Sequence, residues 1–230
     1  MWANARGEPR AGDLVWNAMN AEQPPTRILL VRHGTTPTTG RVLPGRAPGL
    51  HLADRGRDEA EVVAERLAPL RLDAIYASPL ERTVETAEPT SHRTGLGVRR
   101  EAGLLECEFG EWTGRELGDL AKLPEWATVQ RTPSVFRFPG GESFAELRDR
   151  MRETIERIRM ANEGGTVACF SHADPIRVYV SHALGMPLDA MQRISIATCS
   201  VTALSFGRDG STSVLTVNST SAPLGELLVT

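Results

Sequence analysis

The first strongly apolar run, Arg27-Ile28-Leu29-Leu30-Val31, stops at a Gly/Thr/Pro-rich stretch from Gly34 to Gly49, the pattern of a buried strand feeding a loop. From Asp54 to Leu67 the apolar positions Ala60, Val63, Ala64 and Leu67 recur at helical spacing, which predicts an amphipathic helix ended by Pro69. Ala74-Ile75-Tyr76-Ala77 predicts a second strand, and Ser78-Pro79 is expected to open the next helix with Ser78 as its cap and Pro79 as its first residue. Periodicity weakens over residues 96 to 141, where Trp112 and Trp126 stand among several Gly and Pro residues, so short helices and loops covering one edge are expected. A long helix follows, with Phe144, Leu147, Met151, Ile155 and Ile158 on one face and charge on the other, running to Gly164-Gly165. Thr166 to Phe170 is a further buried strand with Ser171-His172 at its end. Cys199 to Phe206 and Ser213 to Val217 predict two closing strands joined across Gly207 to Gly210.

Strands alternating with helices predict an α/β fold: a three-layer sandwich with a mostly parallel central sheet flanked by helices, plus the small cover subdomain. Ligands of such sheets bind beyond the carboxyl ends of the strands, which puts His33 and His172 on one rim. Residues 27 to 220 are expected to form a single domain, with 221 to 230 a C-terminal tail. Residues 1 to 26 lack periodicity and end in Gln23-Pro24-Pro25, so a disordered arm is expected there, with Met19 a candidate start.

Composition narrows the partners. The chain has 230 residues, 26 Lys+Arg against 29 Asp+Glu and a net charge of −3, which gives no global reason to expect nucleic acid or an anionic membrane. Anion binding must be local. Cys107, Cys169 and Cys199 have neither the pairing nor the spacing of a disulfide framework or a zinc site, and are read as reduced residues of a cytoplasmic protein. No run approaches the roughly 20 apolar residues of a membrane span.

Arg32-His33-Gly34 alone is a weak signal, since any tripeptide of common residues recurs by chance. It coincides here with Ser78-Pro79-Leu80-Glu81-Arg82-Thr83, with Glu106 in Leu104-Leu105-Glu106-Cys107-Glu108-Phe109-Gly110, and with Ser171-His172, each just after a predicted strand or in the cover. Together these segments resemble the histidine phosphatase superfamily, in its phosphoglycerate-mutase-like branch, over nearly all of residues 27 to 220. The segments Leu52 to Ala60 and Pro139-Gly140-Gly141-Glu142-Ser143 also resemble family segments. The resemblance implies His33 as nucleophile, Arg32, Arg82 and His172 as the phosphate pocket, Glu106 as proton donor, no metal and no cofactor. Phosphate contacts would also come from Thr39, where many members have Asn, with Thr35, Thr36 and Thr38 offering further hydroxyls; Ala173 replaces the more usual Gly after the second histidine. The expected partner is a small phosphorylated metabolite or other phosphomonoester; a homodimer stays open.

The chemistry needs these residue types for its own reasons. A phosphate dianion repels nucleophiles, and guanidinium groups offer planar, permanently charged forks that match its oxygens. An imidazole attacks phosphorus only with a free lone pair, so its other nitrogen needs an acceptor such as a backbone carbonyl. A carboxylic acid must protonate the leaving alkoxide. Glu106 is the candidate; Glu108, two residues on, points to the opposite side if the segment is extended. His51, His92 and His182 are read as surface or packing residues, Trp112 and Trp126 as packing residues of the cover, and Glu142 as a cap of its helix. A metallohydrolase built on His33, His172 and Glu106 is disfavoured because Arg32 and Arg82 would repel the cation. A non-catalytic phospholigand binder is the other class, against which all core positions stand intact. Mutase and phosphatase share such a site, but Glu106 and Glu142 lie only 36 positions apart, where glycolytic mutases resembling this chain carry a long insertion, so a phosphomonoesterase open to water is favoured.

Overall fold

The computed structural model describes residues 24–227. Residues 1–23 and 228–230, and with them Met19 and nearly all of the expected arm, lie outside the described residues. Strands β1 (Thr26–Arg32), β2 (Ala74–Ala77), β3 (Val98–Arg100), β4 (Thr166–Ser171), β5 (Val201–Phe206) and β6 (Thr212–Ser219) form one sheet in the order β3-β2-β4-β1-β5-β6. The first four run parallel, while β5 is antiparallel to β1 and closes the sheet with β6 as a hairpin.

Alternation along the strands sorts two cores. Ile28 and Leu30 of β1, with Val167 and Cys169 of β4, face the layer built by α5 (Phe144–Ala161), α6 (Ala173–Ala183) and the cover. Leu29, Val31, Ala168 and Phe170 face α1 (Asp54–Leu67) and α2 (Glu81–Thr94). The predicted faces of α1 and α5 are the buried ones: Ala60, Val63, Ala64 and Leu67 in the first, Phe144, Leu147, Met151, Ile155 and Ile158 in the second. All three cysteines are buried free thiols, and no described helix is long and apolar enough to cross a membrane.

Four local expectations are corrected. The helix after β2 starts at Glu81 with Leu80 in the N-cap position and no side-chain cap. Ser78 caps nothing because its hydroxyl is turned to His172, and Thr83 Oγ1 instead closes the turn onto the carbonyls of Ser78 and Leu80. Ser143, not Glu142, caps α5, in a reciprocal capping box with Glu146. The expected cover begins later than residue 96, since Val98–Arg100 pairs with Ile75–Ala77 as an edge strand; three residues with two arginines carry no alternation, and the pairing alone defines them. In the expected tail, α7 (Leu224–Leu227) places Leu224 in the second core.

The cover itself is made of single 3₁₀ turns and two short helices, α3 (Leu117–Leu120) and α4 (Pro124–Arg131). An edge-to-face aromatic cluster of Phe109, Trp112, Phe136, Phe138 and Phe144 fixes it to α5, with Trp126 stacked on Trp112.

Candidate active site

The parallel register sets Arg32 of β1 beside Ser171 of β4, so the next residues, His33 and His172, leave the sheet side by side. His33 N donates to Ser171 O at 3.0 Å, and the two imidazole rings meet edge-on with centroids 5.3 Å apart. His33 is 5% exposed. Its Nδ1 lies 2.8 Å from Gly34 O; a carbonyl only accepts, so Nδ1 carries the proton and Nε2 keeps its lone pair. Burial first, then the positive charges of Arg82 and Arg32, hold its pKa well below 6.5, so the ring is neutral near pH 7.

His172 stands at the N-cap of α6, fully buried. Its Nε2 and Ser78 Oγ are 2.9 Å apart. Burial, Arg82 and His33 keep this ring neutral as well. Arg82 projects from the first turn of α2 and is completely buried; its Nη2 donates to Gly45 O at 2.8 Å. Arg32 Nη1 donates to Ile196 O at 2.7 Å. Arg32 Nε, Arg82 Nε and Nη1, and His172 Nδ1 are buried with no hydrogen-bond partner among the described residues. A buried donor left unsatisfied costs about 1–3 kcal/mol, and four such atoms lie around one histidine pair, all of them potential donors.

Glu106 lies in the irregular stretch from Leu105 to Phe109 and is 8% exposed. Its Oε1 accepts from Cys107 N at 2.9 Å. Burial, with the negative charge of Asp174, pushes its pKa up to about 7 against the pull of the Cys107 N–H, Arg82 and Arg32. Glu108 points elsewhere, pairing with Arg46 at 3.5 Å.

The loop after His33 uses its hydroxyls on itself. Thr39 Oγ1 accepts from Thr36 N at 2.9 Å and pairs with Thr36 Oγ1 at 3.0 Å, while Thr35 gives both its N–H and its hydroxyl to Glu59. Ala173 is the half-buried first residue of α6. The loop rests backbone on backbone against α1: a Cβ on Gly34 would lie 2.5 Å from Gly56 O, and one on Gly56 only 2.0 Å from Thr35 O. His51, which pairs with Glu85, and the exposed His92 and His182 stand outside the cluster.

The structure thus brings Arg32, His33, Arg82, Glu106 and His172 together and leaves Glu108 and the three other histidines out. Ser78, the partner of His172, is missing from the sequence reading, because Ser-Pro after a strand is equally the signature of a helix start. The bonds from Arg46 and Arg150 to the Glu106 carbonyl, with Glu142 bridging both arginines, are missing from the sequence reading too, since nothing local links these residues.

A model of the histidine phosphatase superfamily (branch 1) matches residues 28–220. A bifunctional protein of Mycobacterium tuberculosis is 34% identical over 200 residues, covering 85% of this chain and 54% of that protein; the chain spans about half the length of the first curated relatives it matches. Phosphoserine phosphatase 1 of Hydrogenobacter thermophilus is 32% identical over 167 residues, 70% of this chain and 78% of that one. Among solved structures, a mutant phosphoserine phosphatase of Entamoeba histolytica in complex with phosphoserine superposes with a TM-score of 0.77 at 25% identity, over 85% of this chain and 98% of that one. A mycobacterial glucosyl-3-phosphoglycerate phosphatase in complex with VO3 gives a TM-score of 0.77 at 25% identity, over 84% and 99%.

Proposed function

The chain belongs to the histidine phosphatase superfamily, and on that premise we propose that it is a metal-independent phosphomonoester hydrolase working through a phosphohistidine on His33. The observation that carries this reading is the buried set of unpartnered Arg32, Arg82 and His172 nitrogens beside an imidazole whose Nδ1 is tied to Gly34 O. In the first step the Nε2 lone pair of His33 bonds to phosphorus as the ester P–O bond breaks, and the Glu106 carboxyl gives its proton to the departing oxygen. Arg32 and Arg82 take the charge spread over the non-bridging oxygens. His172 donates to one of them through Nδ1–H, which requires the Ser78 hydroxyl to donate to Nε2. In the second step the Glu106 carboxylate removes a proton from water as its oxygen attacks phosphorus; the P–N bond breaks, and its electrons restore the lone pair on Nε2.

Two guanidinium groups beside the histidines make the cluster hostile to a divalent cation, which supports metal independence. Hydrolysis over mutase activity is supported by the short connection from Glu106 to Glu142, which leaves little chain to enclose a second substrate hydroxyl. The phosphoserine and glucosyl-3-phosphoglycerate phosphatases among its relatives suggest a small phosphorylated metabolite as substrate. Incubation with a labelled phosphomonoester and quenching without acid should trap an acid-labile phosphohistidine that is absent in His33→Ala; undiminished turnover in that variant would overturn the mechanism.

A further inference from the structure

We propose that Glu142, acting through Arg46 and Arg150, is a positioning unit that sets the Glu106 carboxyl; the inference rests on the reading of Glu106 as the acid. Residues 105–109 belong to no helix or strand, so their carbonyls need partners from outside any ladder. Arg150 of α5 donates Nη1 to Gly103 O at 2.7 Å and to Leu105 O at 2.9 Å, and Nη2 to Glu106 O at 3.3 Å. Arg46, from the loop after β1, donates Nε to the same Glu106 O at 2.8 Å.

Both guanidinium groups end on one carboxylate. Arg150 holds Glu142 in a fork, Nε to Oε1 and Nη2 to Oε2, each at 2.9 Å, and Arg46 Nη2 reaches Oε2 at 3.1 Å. The Glu142 carboxylate also accepts from Glu108 N at 3.2 Å, while Glu142 N donates to Glu108 O at 2.8 Å. The backbone on both sides of Glu106 is therefore tied to Glu142. The approach is close enough that a Cβ on Gly141 would lie 2.3 Å from Glu108 O.

The Glu142 side chain is 13% exposed, so these charge-assisted bonds work largely out of water, where they are strong and directional. Removing its charge leaves Arg150 without its carboxylate partner and Arg46 with only the 3.5 Å contact to Glu108, while both cations still converge on the Glu106 carbonyl. They would loosen the acid's backbone and draw its proton off, since positive charge favours the carboxylate.

The test compares Glu142→Gln with Glu106→Gln on an alkyl phosphate, whose alkoxide needs a proton, and on nitrophenyl phosphate, which leaves without one. For Glu142→Gln the expected result is a kcat on the alkyl ester lower by roughly tenfold, part of the ~10²–10⁴-fold effect of a general acid. Rates on nitrophenyl phosphate and the Kd for vanadate should be unchanged, and the alkaline limb of the alkyl-ester profile should move to lower pH. Equal losses on both esters, or none, in Glu142→Gln while Glu106→Gln is selective would overturn the positioning unit alone. Equal losses in Glu106→Gln would remove the acid reading and the positioning unit with it. If Glu142→Gln does not fold, Arg46→Met carries the same comparison of the two esters, its side chain being more exposed at 28%, with the alkaline limb expected to move to higher pH because a cation is lost.

Discussion

Burial, with the negative charge of Asp174, pushes the pKa of the Glu106 carboxyl up to about 7. In the proposed mechanism the protonated form delivers the proton, so kcat on esters with poor leaving groups should fall as pH rises through about 7, and Glu106→Gln should abolish that limb. Steady-state pH profiles on alkyl and nitrophenyl esters check this. Ser78→Ala strands a buried imidazole nitrogen and frees the tautomer of His172; it should cost about 1–3 kcal/mol of stability and lower kcat roughly tenfold, read by denaturant titration and by kinetics. The two histidines were legible in the sequence because each follows an apolar run that only a buried strand explains. Ser78 was not, because the same dipeptide opens helices elsewhere, and only the fold brings His172 to it across 94 positions.

At the scale of elements, the start of α1 forms the floor of the loop after His33. Gly56→Ala would drive a methyl group into the Thr35 carbonyl, which it would approach to 2.0 Å, and the loop bearing His33 would have to shift. Misplacement by about 1 Å costs on the order of 10²-fold in rate, so kcat/KM should drop by that order while circular dichroism shows the helices intact. Helices α1 and α5 and the strands β1, β2 and β4 were readable because burial stamps its period on the chain. Strand β3 was not, being held by its neighbour rather than by its own apolar residues. The cover was legible only in outline, as short helices and loops; its exact bounds and turns escaped, since they are fixed by aromatic packing and by arginine-to-carbonyl bonds that join residues as far apart as Arg46 and Glu106.

The whole molecule stores two neutral imidazoles in its interior. His33 and His172 both have folded pKa values below 6.5; their depressed values favour the folded state above that pH, and this contribution is lost as pH falls from 6.5 toward the folded values, because unfolding then takes up protons. Thermal unfolding between pH 7 and 5 should show a falling Tm, with a shallower decline in His33→Gln. The layered architecture followed from the alternation of strand and helix, whereas the antiparallel β5–β6 hairpin at the sheet edge is a matter of connection length. The register of β1 on β4 has a further consequence. The proposed nucleophile His33 and its neighbour His172 descend together with the sheet, while Glu106, the proposed proton donor, is carried by an appendage stitched on through arginines. If the proposed mechanism holds, residues 101–143 set the leaving group separately from the His33–His172 pair, and a chimera bearing a relative's cover should inherit that relative's leaving-group preference.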